Sequence, residues 1–123
     1  MKTIRLNGQL KVLKNILKER WALFQQIHNA ILSVHPKIMY RVFPLYVVYG
    51  LDEENIALIY YRGAMIKDGG LYIGLNLDKP PKNKRFVPAS AIKYPGITYG
   101  TKLQNTSKIT FAIVETIHSI KVK

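Results

Sequence analysis

The chain has no cysteine. That removes disulfides, zinc–thiolate sites, iron–sulfur clusters and cysteine nucleophiles, and it fits a reducing compartment. Acidic residues are scarce as well: 7, against 19 lysines and arginines, for a net charge of +12. Paired carboxylates for glycoside chemistry would have to come from those few positions, three of which, Asp52, Glu53 and Glu54, are consecutive. No apolar run approaches the roughly 18 residues that a membrane span needs. Lysines interrupt every apolar run near the start, MKTIRLNGQLKVLKNILKERW, so no signal-peptide core is present and a cytoplasmic protein is expected. A basic amphipathic start also reads as a transit peptide or membrane-surface helix, but its apolar stripe runs on into aromatic residues that suit a core.

Catalytic signatures are missing too. Of the three histidines, His28, His35 and His118, no two stand at i, i+4, and HExxH is absent. Ser33, Ser90, Ser107 and Ser119 lack a nucleophile-elbow context. GGLYIG at 69–74 is not GxGxxG: its glycines are wrongly spaced and lead into a strand. No P-loop occurs. No cofactor, metal ligand or catalytic residue is assigned, and an enzyme is the weaker class.

Hydrophobic residues make up 48% of the 123 residues, enough for a packed core in a single domain spanning 1–123. Apolar residues at Leu10, Leu13, Leu17, Trp21, Phe24, Ile27, Ile31 and Val34 recur every three or four positions. They predict one long helix over 8–34, stopped by Pro36; the pattern leaves open whether it is continuous or is kinked or split near Glu19–Arg20. Residues 38–49 read as a strand that Pro44 confines to an edge or breaks. LDEEN at 51–55 is a turn and the one acidic spot. Residues 55–62 are apolar on both faces and read as a central strand. Lys67-Asp68-Gly69-Gly70 is a turn.

In the next strand Leu71, Ile73, Leu75 and Leu77 share one face, and Tyr72, Gly74, Asn76 and Asp78 the other. Residues 79–95 read as an irregular basic loop. In 96–104, Ile97, Tyr99 and Leu103 oppose Thr98, Gly100, Lys102 and Gln104. Asn105, Thr106 and Ser107 are candidate caps for a second helix reaching Ile120, with Ile109, Ala112, Ile113, Thr116, Ile117 and Ile120 as its buried stripe. The expected fold is α+β: an antiparallel sheet of about four strands with N- and C-terminal helices packed on one face, an α-β4-α two-layer arrangement.

Three stretches resemble the YdhG-related family of small bacterial domains of unknown function: SVHPKIMYRVFPLYVVYG, GLYIGLNLDK with its proline-bearing basic loop, and GITYGTKLQNTSKI. The resemblance covers the chain from Trp21 onward and implies the same helix-flanked antiparallel sheet. The family has no established reaction, and some relatives are described as frataxin-like iron chaperones. That role needs a carboxylate-rich surface, which this chain lacks.

Two surfaces stand out. If the strands bearing Gly74 and Gly100 are neighbours, the sheet has a bare patch rimmed by Tyr72, Asn76, Lys102 and Gln104. Such a patch suits a ligand or a second copy of the chain. The alternative is that a neighbouring tyrosine, such as Tyr60 or Tyr61, roofs it. Lys79, Lys82, Lys84, Arg85 and Lys93, interleaved with Phe86 and Tyr94, offer charge for phosphates and rings for bases. Lys11, Lys14 and Lys18 add a basic helix face. The alternative for both is ordinary solvated surface. The sequence therefore points first to a non-enzymatic binding domain, homodimeric or with an anionic partner. A nucleic-acid-binding module comes second, and a small enzyme or metal chaperone third.

Overall fold

A computed structural model describes residues 7–63, 66, 70–89, 94–104 and 110–120. The expected turn at Lys67-Asp68-Gly69, the caps Asn105, Thr106 and Ser107, and Ser90, Lys93 and Ile109 lie outside the described residues.

The long N-terminal helix divides, which the spacing of its apolar residues left open. Helix α1 (Asn7–Leu17) passes through a tight 3-10 turn at Lys18–Arg20 into α2 (Trp21–Leu32). Lys, Glu and Arg are good helix formers, so propensity does not cause the break. Lys18 takes φ +53°, and Arg20 Nη1 then donates to the carbonyls of Tyr61 (2.9 Å) and Gly70 (2.6 Å). The break aims a guanidinium at backbone acceptors that flank two neighbouring strands. Leu13 and Leu17 before it, and Leu23, Phe24, Ile27, His28 and Ile31 after it, are buried.

The described residues form a six-stranded antiparallel sheet: β1 (Met39–Val42), β2 (Tyr46–Leu51), β3 (Glu54–Tyr60), β4 (Leu71–Leu75), β5 (Val87–Pro88) and β6 (Tyr99–Leu103), in the order β1-β2-β3-β4-β6-β5. This corrects the expected four. Pro44 breaks the 38–49 stretch into a hairpin, so one expected strand is two, and the short β5 lies inside the stretch read as irregular. Chain-local patterns miss β5 because two residues carry no periodicity. Between β2 and β3, Asp52 and Glu53 both have positive φ (51° and 68°), the geometry of a tight two-residue hairpin turn.

Helix α3 (Phe111–Ile117) is capped by Thr110, whose hydroxyl accepts from the Ile113 N–H at 3.3 Å. Ile113, Thr116, Ile117 and Ile120 are buried as the stripe predicts, whereas Ala112 is exposed. All three helices contribute to one buried cluster with Tyr49, Ala57, Ile59, Leu71, Ile73, Leu75 and Leu103 from the sheet. A second, smaller cluster gathers Val48, Leu58, Ala89 and Ile97. It holds none of the helices' residues, so it marks the sheet's reverse face. The expected placement of Ile97 beside Leu103 is thus overturned. Gly96, at φ +87°, turns the chain just before β6 begins, and Ile97 lands on the reverse face over Gly74. Among the described residues, no helix is long and apolar enough to cross a membrane.

Candidate binding groove on the reverse face of the sheet

Register builds this face row by row. Tyr46 pairs with Tyr60, Tyr60 with Tyr72, and Tyr72 with Lys102. Three tyrosines therefore cross the sheet in line. Ring centroids lie 5.2 Å apart for Tyr46–Tyr60 and 6.3 Å for Tyr60–Tyr72, both inclined rather than stacked face to face. Phe43 extends the row at 5.1 Å from Tyr46, and Tyr94 packs edge-on to Tyr46 at 5.5 Å.

Gly74 and Gly100 are direct cross-strand partners, as the sequence argument required. The patch between them is not bare. A Cβ at Gly100 would collide with the Tyr72 hydroxyl and ring, and a Cβ at Gly74 would come within 2.6 Å of an Ile97 methyl. The expected notch is closed by Tyr72 itself, and Ile97 plugs the rest. A tyrosine does the roofing, though not the neighbours Tyr60 or Tyr61. Tyr72, Gly74 and Gly100 are buried, and Asn76 and Lys102 are half-buried. Asn76 spends its side-chain amide on the Asn55 carbonyl at 3.3 Å. Of the six notch residues only Gln104 is exposed.

The basic loop is dispersed in a similar way. Lys82, Lys84 and Arg85 are exposed, with Lys79. Phe86, however, is 4% exposed and belongs to the helix-side core. Tyr94 stands on the reverse face against Tyr46. The loop therefore offers charge without the stacking rings expected beside it.

An open groove lies further along the reverse face, over β1, β2 and the β2–β3 turn, with a volume of about 430 Å³. Gly50, at a register shift in β2, lines the groove next to Val48, and a Cβ there would press on the Glu54 carbonyl at 3.3 Å. Met39 and Arg41, which pair with Gly50 and Val48, line the β1 side, and Phe43 and Tyr94 line the end where both pack on Tyr46. Asp52, Glu53 and Glu54 close the turn end together with Lys37. The sequence reading passed over Gly50. The available signal was a glycine ending an otherwise β-branched and aromatic strand, two residues before the acidic turn.

Burial raises three phenols of this face, Tyr60, Tyr72 and Tyr94. The Tyr94 hydroxyl is pushed up to about 12, by burial first and then by its hydrogen bond with Tyr46, while the nearby Arg41 guanidinium pulls the other way. Burial raises Tyr72 and Tyr60 as well, each helped by its neighbouring tyrosine. The face is thus neutral and aromatic, and Arg41 supplies a cation at the groove wall. Among the described residues, the groove lining contains no histidine or serine. His28 is buried in the helix-side core, with Nδ1 2.6 Å from the Tyr49 hydroxyl. Among the described residues, no group of three or more His, Cys, Asp or Glu is placed to hold a metal ion. Through its described residues the arrangement can stack, hydrogen-bond and pair charges.

Neither family models, curated proteins nor solved structures match the chain.

Proposed function

We propose that this chain is a non-enzymatic binding domain and that the reverse sheet face, centred on the Gly50 groove, is its contact surface. The observation that carries this reading is the open groove of about 430 Å³ that runs from the Asp52–Glu54 turn past Gly50 and Arg41 to the rings of Phe43 and Tyr94. Small-ligand and peptide sites combine this kind of apolar, aromatic lining with a few convergent polar groups. Kinship with YdhG-related domains and a cytoplasmic location belong to the same proposal. The order of N-terminal helices, antiparallel sheet and C-terminal helix supports the kinship. A homodimer formed over the same face is a further form of it.

A ligand-observed NMR screen with small aromatic acids and amines tests the reading. Hits are expected to shift the amides of Arg41, Val48 and Gly50 together. An absence of hits, or hits scattered over other surfaces, overturns it.

One observation favours a second reading, a nucleic-acid-binding module. Lys79, Lys82, Lys84 and Arg85 are exposed within seven residues of one another. Binding of single-stranded DNA or RNA would weaken with salt by about 0.7 log units per phosphate contact for each log unit of salt. No binding at low salt eliminates this reading.

A further inference from the structure

The reverse face carries a row of rings that runs across the strands. The Phe43 N–H donates to the Tyr46 carbonyl, Tyr46 pairs with Tyr60, and Tyr60 pairs with Tyr72. Lys102, the partner of Tyr72, ends the row on β6. From Phe43, just past β1, to Lys102 the row crosses four inter-strand steps of about 4.8 Å, roughly 19 Å in all. Phe43, Tyr46 and Tyr60 are half-buried rather than sealed, as is Tyr94 beside them. Arg41, two residues before Phe43, is exposed, and its pairing with Val48 of the reverse-face cluster puts it on the same side. The carboxylates of the β2–β3 turn lie off this row. Tyr46 stands six residues before Asp52, about 20 Å at 3.3 Å per residue. That is about twice the screening length of roughly 10 Å at 0.1 M salt.

Rings in line, with a cation near each end, suit a polyanion that has planar faces. A second copy of the chain fits poorly, since it brings the same cations and another +12 of charge. We propose, resting on the reading of the reverse face as the contact surface, that this row is a platform for single-stranded nucleic acid, which crosses the β-strands from Arg41 to Lys102. Bases pack on the Phe43, Tyr46 and Tyr60 rings, and Arg41 and Lys102 take phosphates. The length of the row suits a site of about four nucleotides. Every base has a π-face, so the site tolerates any sequence. The basic loop is not part of it. Lys79 and Lys82 line a cleft with Ala112 and Glu115 of α3, and Phe86 belongs to the helix-side core, so the loop lies on the other side of the sheet.

The test is a fluorescence-anisotropy titration of the full chain at low salt with a labelled oligothymidine strand and an abasic strand of the same length. The thymidine strand should bind at least about fivefold tighter. Tyr60→Leu should remove most of that advantage and leave the abasic strand unchanged, whereas Tyr60→Phe, which keeps the ring, should bind like the parent. Arg41→Gln, at an exposed position, should weaken both strands alike and lower the salt slope by about 0.7. Equal affinity for the two strands overturns the stacking platform. So does a triple variant Lys82→Gln, Lys84→Gln, Arg85→Gln that loses binding while Tyr60→Leu keeps it, a result that returns the contact to the loop. A proline-rich peptide that shifts the amides of Tyr46 and Tyr60 where the oligonucleotide does not hands the row to a polypeptide and overturns the proposal as well. If no strand binds but aromatic fragments shift the groove, this inference falls and the binding-domain reading stands. If nothing touches the reverse face, both fall.

Discussion

The Tyr49 hydroxyl lies 2.6 Å from Nδ1 of His28, and both residues are sealed beneath the helices. Phe24 stacks on the imidazole at 5.4 Å, and Tyr40 meets it edge-on at 4.7 Å. Tyr49 is fully buried, and its hydroxyl pairs with this imidazole, so the contact satisfies two polar groups that the core would otherwise strand.

Burial pulls His28 down to about 4 from an ordinary 6.5. The folded chain therefore keeps a neutral imidazole where the unfolded chain takes up a proton. This contribution is complete above pH 6.5, is lost as pH falls from 6.5 towards 4, and is constant below that. The gap corresponds to about 3 kcal/mol. Denaturant titrations at pH 7.5 and 4.5 should show that loss, and His28→Phe should remove most of the pH slope. The variant should also be less stable at pH 7.5 by about 1–3 kcal/mol, since the Tyr49 hydroxyl loses its partner. A His28 imidazole titrating near 6.5 by NMR would contradict this.

Gly100 and Tyr72 should behave as a coupled pair. Gly100→Ala pushes a methyl into the Tyr72 phenol and towards the Ile73 carbonyl. It should cost about 1–3 kcal/mol by overpacking. In a Tyr72→Leu background the phenol is gone and only the carbonyl remains, so the penalty for Gly100→Ala should shrink measurably. Equal penalties in the two backgrounds would mean that Tyr72 does not cover Gly100 in solution.

These two pairs mark how far the sequence could be read. Period-two alternation placed Leu71, Ile73 and Leu75 on the helix side, and the 3.6-residue stripe placed Phe24, Ile27 and Ile31 against them. Pro44 announced a break, because it cannot donate to a ladder. Those are local signals. The filling of the Gly74–Gly100 patch was not local: it depends on where the Tyr72 ring turns and on Gly96 carrying Ile97 to the other face. The groove was hidden for the same reason. Arg41, Gly50, Asp52 and Tyr94 become neighbours only through the register of β1 on β2 and the return of the loop before β6. A residue's spacing shows which side of its own strand it occupies, and not what a distant segment lays over it.

The helix break at Lys18 should be cheap to relax and costly to lose. A left-handed φ of +53° strains a lysine and suits a glycine. Lys18→Gly should therefore stabilise the fold by up to about 1 kcal/mol, opposite in sign to glycine placed inside α2. Arg20→Ala removes both donations to Tyr61 and Gly70. Arg20 is partly exposed, so water replaces some of the loss, and about 1–2 kcal/mol of destabilisation is expected. Thermal or urea unfolding of the two variants reads both signs. If Lys18→Gly destabilises like an ordinary helix-interior glycine, α1 and α2 run on as one helix.

The β2–β3 turn sets stability against binding. Asp52 and Glu53 occupy two left-handed positions that an Asn-Gly pair fills with less strain. The double substitution Asp52→Asn with Glu53→Gly should raise the unfolding free energy by roughly 0.5–1 kcal/mol. It also strips two of the three carboxylates from the groove's acidic end. Aromatic amines found in the groove screen should then bind less tightly, while aromatic acids should not weaken. A turn kept only for its geometry would gain stability with no change in the preference between amines and acids, and that result would detach the acidic end from recognition.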